Sequence, residues 1–440
     1  MMLQNNLINI TNKDFIYSLV SQRIGGHLPK DIRSIYDTCE HIQIIATDCY
    51  FLHYSLYPFL RNRNDDDVLE EVRKFLQDYM SDERYQRIKM LTTLDDEMSL
   101  VYSIALAKSI IGKIMGKLIG ELEIAQLMNP DNKVKSKIVN AVYALVDAGE
   151  LGLILDYATE EAEEVTKNAN EIRELIGGKK AGKEAGTFKK VLDLAEHMLY
   201  VKFMKEIVTM SKRLSEYVPK ASKILKKKGR FGDELSGYTM TKRIERALPR
   251  EIALPDELFF KKLTSEGFLM REKLSVAEGA YYLLIDKSGS MYGEKTIWAR
   301  SVAMALYRMS MTKKRRYFLR FFDTRVYPPD TPLNDPEDIV DAILKVKSNG
   351  GTDITNAIST ALRDLMERGL SEFTNTIVII TDGEDVVQDL SKELRRANAS
   401  LISVMIQGDN ETLKALSDQY MKAELSEIGG AKLLKIVEVS

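Results

Sequence analysis

Apolar spacing changes character along this chain, and the change falls near residue 228. Before it, apolar residues recur every three or four positions with few breakers, the spacing of amphipathic helices. The clearest such runs are 94–118, 133–147, 151–176 and 188–218. From about Ala277 the pattern alternates. Continuous apolar runs at 280–285, 317–322, 376–380, 401–407 and 433–439 predict buried strands. Between them, helical patterns appear at 295–309, 336–347, 355–368, 390–397 and 411–419. Apolar strands separated by helices imply a mostly parallel sheet covered on both faces. A short run at 324–327, ending at Pro328-Pro329, fits only an edge strand. No fixed-period repeat is found, so a solenoid is not expected. The expected organisation is an all-helical domain over 1–228, a basic, glycine-containing connector over 229–275, and an α/β domain over 276–440.

Composition adds bounds. The chain has 440 residues, enough for two or three domains with real cores, and 45% apolar and 29% charged residues are normal for a soluble protein. A formal net charge of −2 does not suggest a general nucleic-acid binder. Cys39 and Cys49 are too few for a disulfide scaffold, which points to a reducing compartment. The start, Met1-Met2-Leu3-Gln4-Asn5-Asn6, lacks the basic and apolar regions of a signal peptide. Two apolar stretches are interrupted by polar residues: 42–60 by Asp48 and His53, and 104–124 by Lys108, Lys113 and Lys117. Neither reads as a membrane span. The expectation is a cytoplasmic protein.

Two segments invite a nucleotide or nucleic-acid reading. Gly177-Gly178-Lys179-Lys180-Ala181-Gly182-Lys183 is rich in Gly and Lys but lacks the Gly-x4-Gly-Lys-Ser/Thr order, and no strand leads into it. It reads as an exposed loop. Gly289, Gly293, Lys295 and Thr296 also miss that spacing. Residues 212–250 carry twelve Lys/Arg against four Asp/Glu. This basic stretch reads as a solvated hinge, or as a contact for nucleic acid or an acidic protein face.

The strongest chemical signal is Asp286-Lys287-Ser288-Gly289-Ser290, directly after the apolar run Tyr281-Tyr282-Leu283-Leu284-Ile285. One carboxylate and two hydroxyls at alternate positions, in the turn after a buried strand, make a site for a hard cation such as Mg²⁺, Mn²⁺ or Ca²⁺. In open parallel sheets, ligands bind beyond the carboxyl ends of strands where strand order reverses. Asp382, in Thr381-Asp382-Gly383-Glu384-Asp385, lies beyond another apolar run, and Thr352 lies in the glycine-rich Gly350-Gly351-Thr352-Asp353. If the two strands are neighbours, Asp286, Ser288, Ser290, Thr352 and Asp382 can meet at one ion. An EF-hand is excluded, because its twelfth position would be Ile297 rather than a bidentate Glu. A two-carboxylate hydrolase would need a tuned acid or base, and all four histidines lie before residue 198.

These residues carry a resemblance. Asp286-x-Ser288-x-Ser290, then Gly351-Thr352-Asp353, then Thr381-Asp382-Gly383 resembles the metal-ion-dependent adhesion site of von Willebrand factor A (VWA) domains, over about residues 275–440. The resemblance implies a six-stranded doubly wound sheet. It also implies a Mg²⁺ held by Asp286, Ser288, Ser290, Thr352 and Asp382 that recruits an acidic residue from a protein partner. A second stretch, from Leu235-Ser236-Gly237-Tyr238 through Ala247-Leu248-Pro249-Arg250-Glu251-Ile252-Ala253-Leu254, resembles the connector of CoxE/ViaA-like proteins, which partner MoxR-type AAA+ ATPases. Arg250 departs from the serine usual in that family. The implied function is a non-enzymatic adaptor for such an ATPase, acting in protein remodelling or metal-cofactor insertion. Rival readings are an RNA-binding protein resembling the Ro family, with the basic segment as its support, and a Mg²⁺-dependent hydrolase.

Other residues have blander readings. Cys39, His41, Cys49 and His53 do not match structural zinc spacings well and fit core positions. His197 stands alone on an amphipathic helix, and Trp298 reads as core. Tyr292, Arg325, Tyr327, Glu384 and Asp385 are the candidates for a partner-binding rim around the metal.

Overall fold

In the computed structural model, the described residues are 6–8, 15–62, 64–118, 130, 132–177, 185–217, 226–229, 234–241, 248–264, 267–276, 278–383 and 385–439. The chain divides into two compact units, Met1–Lys205 and Glu206–Ser440.

The first unit is helical. Its described helices are α1 (Phe15–His27), α2 (Lys30–Thr38), α3 (Glu40–Tyr54), α4 (Asp67–Met80), α5 (Glu83–Thr92), α6 (Asp96–Leu118), α7 (Asn132–Asp147), α8 (Leu151–Ile176) and α9 (Ala185–Tyr200). Among the described residues α6 is the one unbroken helix long and apolar enough to cross a membrane. Most of it is buried against α3 and α8, as a central core helix would be. Asp95 anchors its start through a buried ion pair to Arg173 at 2.8 Å. The run expected at 188–218 is broken at Val201 into α9 and α10 (Lys202–Glu216). The glycine-rich loop after Gly177 lies almost wholly outside the described residues.

Cys39, Cys49 and His53 are core residues, as their spacing suggested. His53 sits among the rings of Tyr79, Tyr85 and Tyr102, and burial pulls its imidazole down to about 3. His41 instead pairs with Asp66 at 3.0 Å. No cluster of three or more His, Cys, Asp or Glu suited to a metal occurs among the described residues.

The second unit begins inside a helix. Ile207, Val208 and Leu214 of α10 are fully buried. Ser301 donates to the Ile207 carbonyl at 3.3 Å, Arg213 pairs with Glu427 at 2.8 Å, and Leu214 packs against Gly430. The boundary therefore falls at 205–206, well before the 228 expected from the basic run. Nor is the described part of 226–276 a plain linker. Strands β1 (Lys226–Gly229), β2 (Glu234–Thr241) and β3 (Phe268–Val276) pair antiparallel in the order β1-β3-β2. Pro249 opens the short helix α11 (Pro249–Ile252), followed by α12 (Asp256–Thr264). Glu251 is buried and binds the Lys262 ammonium at 2.5 Å, while the Leu248 amide donates to the Leu269 carbonyl at 2.9 Å. A buried carboxylate thus fastens the connector to β3.

The main sheet contains β4 (Glu278–Asp286), β5 (Arg316–Phe322), β6 (Val326–Tyr327), β7 (Thr374–Thr381), β8 (Ala399–Met405) and β9 (Gln419–Lys422), in the order β6-β5-β4-β7-β8-β9. All pairs are parallel except the short edge β5–β6. Alternate residues of each strand point to opposite faces. Tyr282, Leu284, Phe318, Ile377, Ile379 and Leu401 pack with α15 (Ile354–Glu367), α16 (Ser391–Arg396) and α17 (Glu411–Leu416). On the other face lie α13 (Glu294–Lys313), α14 (Pro336–Lys345) and α18 (Glu427–Val439). Buried Arg320 binds Asp364 at 2.8 Å and Tyr282 at 2.9 Å, linking β5, α15 and β4.

The doubly wound six-stranded sheet is as expected, with one correction. Residues 433–439, expected as a strand, lie in α18. Ala431, Leu434 and Val437 are buried at helical spacing. The sixth strand is instead β9, within a stretch whose start was expected to be helical.

One buried carboxylate of the first unit makes a pH prediction. Asp48 is fully buried and accepts the Leu7 amide at 2.5 Å, and burial pushes its carboxyl up to about 7. A carboxyl raised on folding adds stability below its unfolded pKa of ~3.9, and that stability is lost as pH rises toward the folded value. Between pH 5 and 8 the wild type should lose about 2–3 kcal/mol relative to Asp48→Asn. Urea unfolding followed by circular dichroism measures this, and parallel curves for the two proteins would contradict it.

Candidate metal centre

Strands β4 and β7 lie side by side at the point where the chain's strand order reverses, with Ile285 paired to Ile380. Each ends in an acid, Asp286 on β4 and Asp382 just after β7. The parallel register therefore brings both carboxylates to one crevice, where doubly wound sheets bind ligands.

Asp286 is 2% exposed. Its Oδ1 accepts the Ser288 amide at 2.8 Å and its Oδ2 accepts the Thr381 hydroxyl at 2.5 Å. Burial raises this carboxyl above the usual range and the Asp382 charge adds to the rise. The Thr381 hydroxyl and Ser288 amide oppose it. The chain then makes a short 3-10 turn at Gly289–Met291. There Ser288 Oγ lies 3.1 Å from Ser290 Oγ, and Ser290 Oγ donates to Asp382 Oδ1 at 2.8 Å. The second Asp382 oxygen accepts from the Lys295 ammonium at 2.7 Å.

The loop carrying Thr352 is tied to this turn by backbone. The Gly289 amide donates to Gly350 O at 3.1 Å, and the Asn349 amide to Lys287 O at 2.6 Å. Thr352 itself lies against Gly383. A Cβ on Gly383 would sit 2.8 Å from Thr352 Cγ2, so only glycine lets the two loops close this far. Gly350 has φ +97° and backs onto Asp323, whose Oδ2 would lie 2.9 Å from an added Cβ.

Sequence reasoning missed three supporting residues. Asp323, just beyond β5, is a third strand-end acid. It binds the Lys287 ammonium, which also lies 4.2 Å over the Tyr327 ring, and accepts the Arg325 amide at 2.7 Å. Burial alone would raise its carboxyl, but these partners hold it below the ordinary range. Its place after an apolar strand, matching Asp286, was a readable signal. Lys295 and Thr381 stood in stretches already singled out, but their contacts to Asp382 and Asp286 act across space and left no mark in the sequence.

The rim candidates divide. Tyr292 is 84% exposed beside the 3-10 turn, and Arg325 and Tyr327 are exposed at the β5–β6 turn. Asp385 is half-buried: its carboxylate accepts the Ile354 amide at the start of α15, at 3.2 Å, and its carbonyl accepts from Asn410 at 2.8 Å. Glu384 lies outside the described residues.

The donor chemistry fits a hard divalent ion. Every candidate ligand offers oxygen. Ser288, Ser290 and Asp382 already form one hydrogen-bonded oxygen cluster, with separations of 3.1 Å and 2.8 Å, and a hard cation can replace the shared protons of such a cluster.

Fold and site together describe a doubly wound α/β binding domain with its crevice at the switch point. Residues 281–384 match the family model of the von Willebrand factor type A domain, and the C-terminal sheet is VWA-like, preceded by a largely helical region. An uncharacterised protein of Methanocaldococcus jannaschii is 27% identical over 432 residues, covering 89% of this chain and 90% of that protein. A putative VWFA domain-containing protein of Acidianus two-tailed virus is 23% identical over 224 residues, which is 47% of this chain and 24% of the viral one. Among solved structures, the von Willebrand factor type A protein from Catenulispora acidiphila aligns with 17% identity and a TM-score of 0.30, over 38% of this chain and 43% of that one.

The glycines of the site should differ in tolerance. Gly350→Ala meets both a positive φ and the Asp323 carboxylate, and should cost about 1–3 kcal/mol. Gly289→Ala meets only one contact at 3.8 Å and should stay within ~0.5 kcal/mol of wild type. Chemical denaturation of both variants checks the contrast.

Proposed function

We propose that the crevice binds a hard divalent cation, Mg²⁺ by preference, through Asp286, Ser288, Ser290, Thr352 and Asp382, and that it captures an acidic side chain from a protein partner. The observation that carries this reading is the all-oxygen donor set at the switch point, with Ser288, Ser290 and Asp382 gathered in one hydrogen-bonded cluster beside Asp286. When bound, the cation supplies a positive charge and an exchangeable coordination position. Asp286 holds the turn through the Ser288 amide, and Thr381 fixes the carboxylate's second oxygen. Exposed Tyr292, Arg325 and Tyr327 offer aromatic and cationic contact area around the crevice, the residue types that anchor interfaces.

The wider reading is a cytoplasmic, non-catalytic adaptor that delivers substrates to a MoxR-type AAA+ ATPase or controls it. Its support is the resemblance of the Leu248-Pro249-Arg250-Glu251 connector to those of CoxE/ViaA-like proteins, together with a helical unit before the VWA-like sheet. Glu251 gives that connector a physical role, since its buried carboxylate joins α11 to Lys262 and to the Leu269 amide.

Asp286→Ala should weaken Mg²⁺ binding about 100-fold or more in calorimetry, and should abolish partner capture in a pull-down with the cell's AAA+ ATPase, while the circular dichroism spectrum stays unchanged. Undiminished Mg²⁺ binding by the folded variant would sink the reading. Mg²⁺-dependent turnover of a phosphate ester, lost in the same variant, would favour a hydrolase instead.

A further inference from the structure

Lys295 stands in an unfavourable place for a cation. It is the second residue of α13, where the unsatisfied amides of a helix start carry partial positive charge and acids are preferred. Its ammonium is nonetheless 2.7 Å from Asp382 Oδ2, with the two side chains only 20% and 3% exposed. An ion pair so shielded from water is screened weakly. The neighbouring cation, Lys287, is already committed to Asp323 and to the Tyr327 ring. Among the described residues no ion pair to Asp286 is found, and its oxygens are held by a hydroxyl and an amide. The three strand-end acids are therefore handled differently. Asp323 and Asp382 each have a lysine, and Asp286 has none.

We infer that Lys295 is an internal counter-ion that trades cation affinity for affinity toward an external carboxylate. The inference rests on the cation-binding reading of this site. Among the three charged groups named at the cation position, Asp286 and Asp382 contribute −2 and Lys295 contributes +1, a sum of −1, while Lys287 and Asp323 cancel each other. A divalent cation brings that sum to +1, a charge that one external carboxylate neutralises. Without Lys295 the loaded crevice would be neutral, and an incoming acid would leave it at −1. Lys295 thus opposes the cation by direct repulsion and by holding one Asp382 oxygen. The same charge leaves the loaded site in need of an acid.

The test uses the full chain as wild type, Lys295→Met and Lys295→Arg, with thermal unfolding to verify folding and Lys295→Gln as a second neutral variant. Calorimetry with Mg²⁺ should show about tenfold tighter binding for the neutral variants and near-wild-type binding for Lys295→Arg. Acetate serves as the carboxylate probe. Broadening of its methyl NMR signal by the Mn²⁺-loaded protein should fall in the neutral variants and persist in Lys295→Arg. Equal or weaker Mg²⁺ binding by the folded neutral variants would overturn the role of Lys295 while leaving the cation site standing. Failure of every form to bind Mg²⁺ or Mn²⁺ would overturn both.

Discussion

Two carboxylates buried at the ends of adjacent parallel strands are the constraint around which the C-terminal unit is built. Like charges removed from water repel strongly and lose their hydration, so they persist only where the surroundings compensate both. For Asp286 the compensation comes from neutral donors, the Thr381 hydroxyl and the Ser288 amide. For Asp382 it comes from the Ser290 hydroxyl and the Lys295 ammonium. Every one of these donors sits on the two strand-end segments or on the turn and helix that follow β4. The sheet order β6-β5-β4-β7-β8-β9 is what makes the two strands neighbours. A chain without that reversal between β4 and β7 would leave the acids on separate edges.

Close approach of three loops follows from the same constraint. Gly383 allows Thr352 to lie against the Asp382 loop, and Gly350 accepts a left-handed backbone beside Asp323. The Asp323–Lys287 pair then pins the β5 end to the Asp286 turn. Farther away, α10 covers α13 and α18, and Glu251 fastens the connector to β3. The helix that the sequence pattern assigned to the first half thus completes the second.

Much of the site was legible because its residues are close in sequence and their types are demanding. Asp286, Ser288 and Ser290 are alternate positions after an unbroken apolar run, and Thr352 and Asp382 stand in loops marked by glycine. Strand periodicity located β4, β5, β7 and β8, whose side chains are buried on both faces. It failed at β9, a four-residue edge strand with a single buried residue, Met421. It also failed at 433–439, where Leu433, Leu434, Ile436 and Val437 are dense enough to mimic a strand although the burial is helical. The connector looked like a hinge because its charge is basic, whereas its backbone pairs with β3. The contacts of Lys295 and Thr381 were invisible for another reason. Each acts on an acid 87 or 95 residues away in the chain, a pairing that only the sheet order creates.

The proposed divalent-cation site lies in the crevice between the β4 and β7 ends, with Asp286, Ser288, Ser290, Thr352 and Asp382 as its candidate ligands. Crystals grown with Mn²⁺ and measured at a wavelength where manganese scatters anomalously test this most directly. A cation held there gives an anomalous peak in that crevice, with Ser288 Oγ and Ser290 Oγ at about 2.0–2.6 Å from it. A peak elsewhere on the molecule, or none at saturating Mn²⁺, would contradict it.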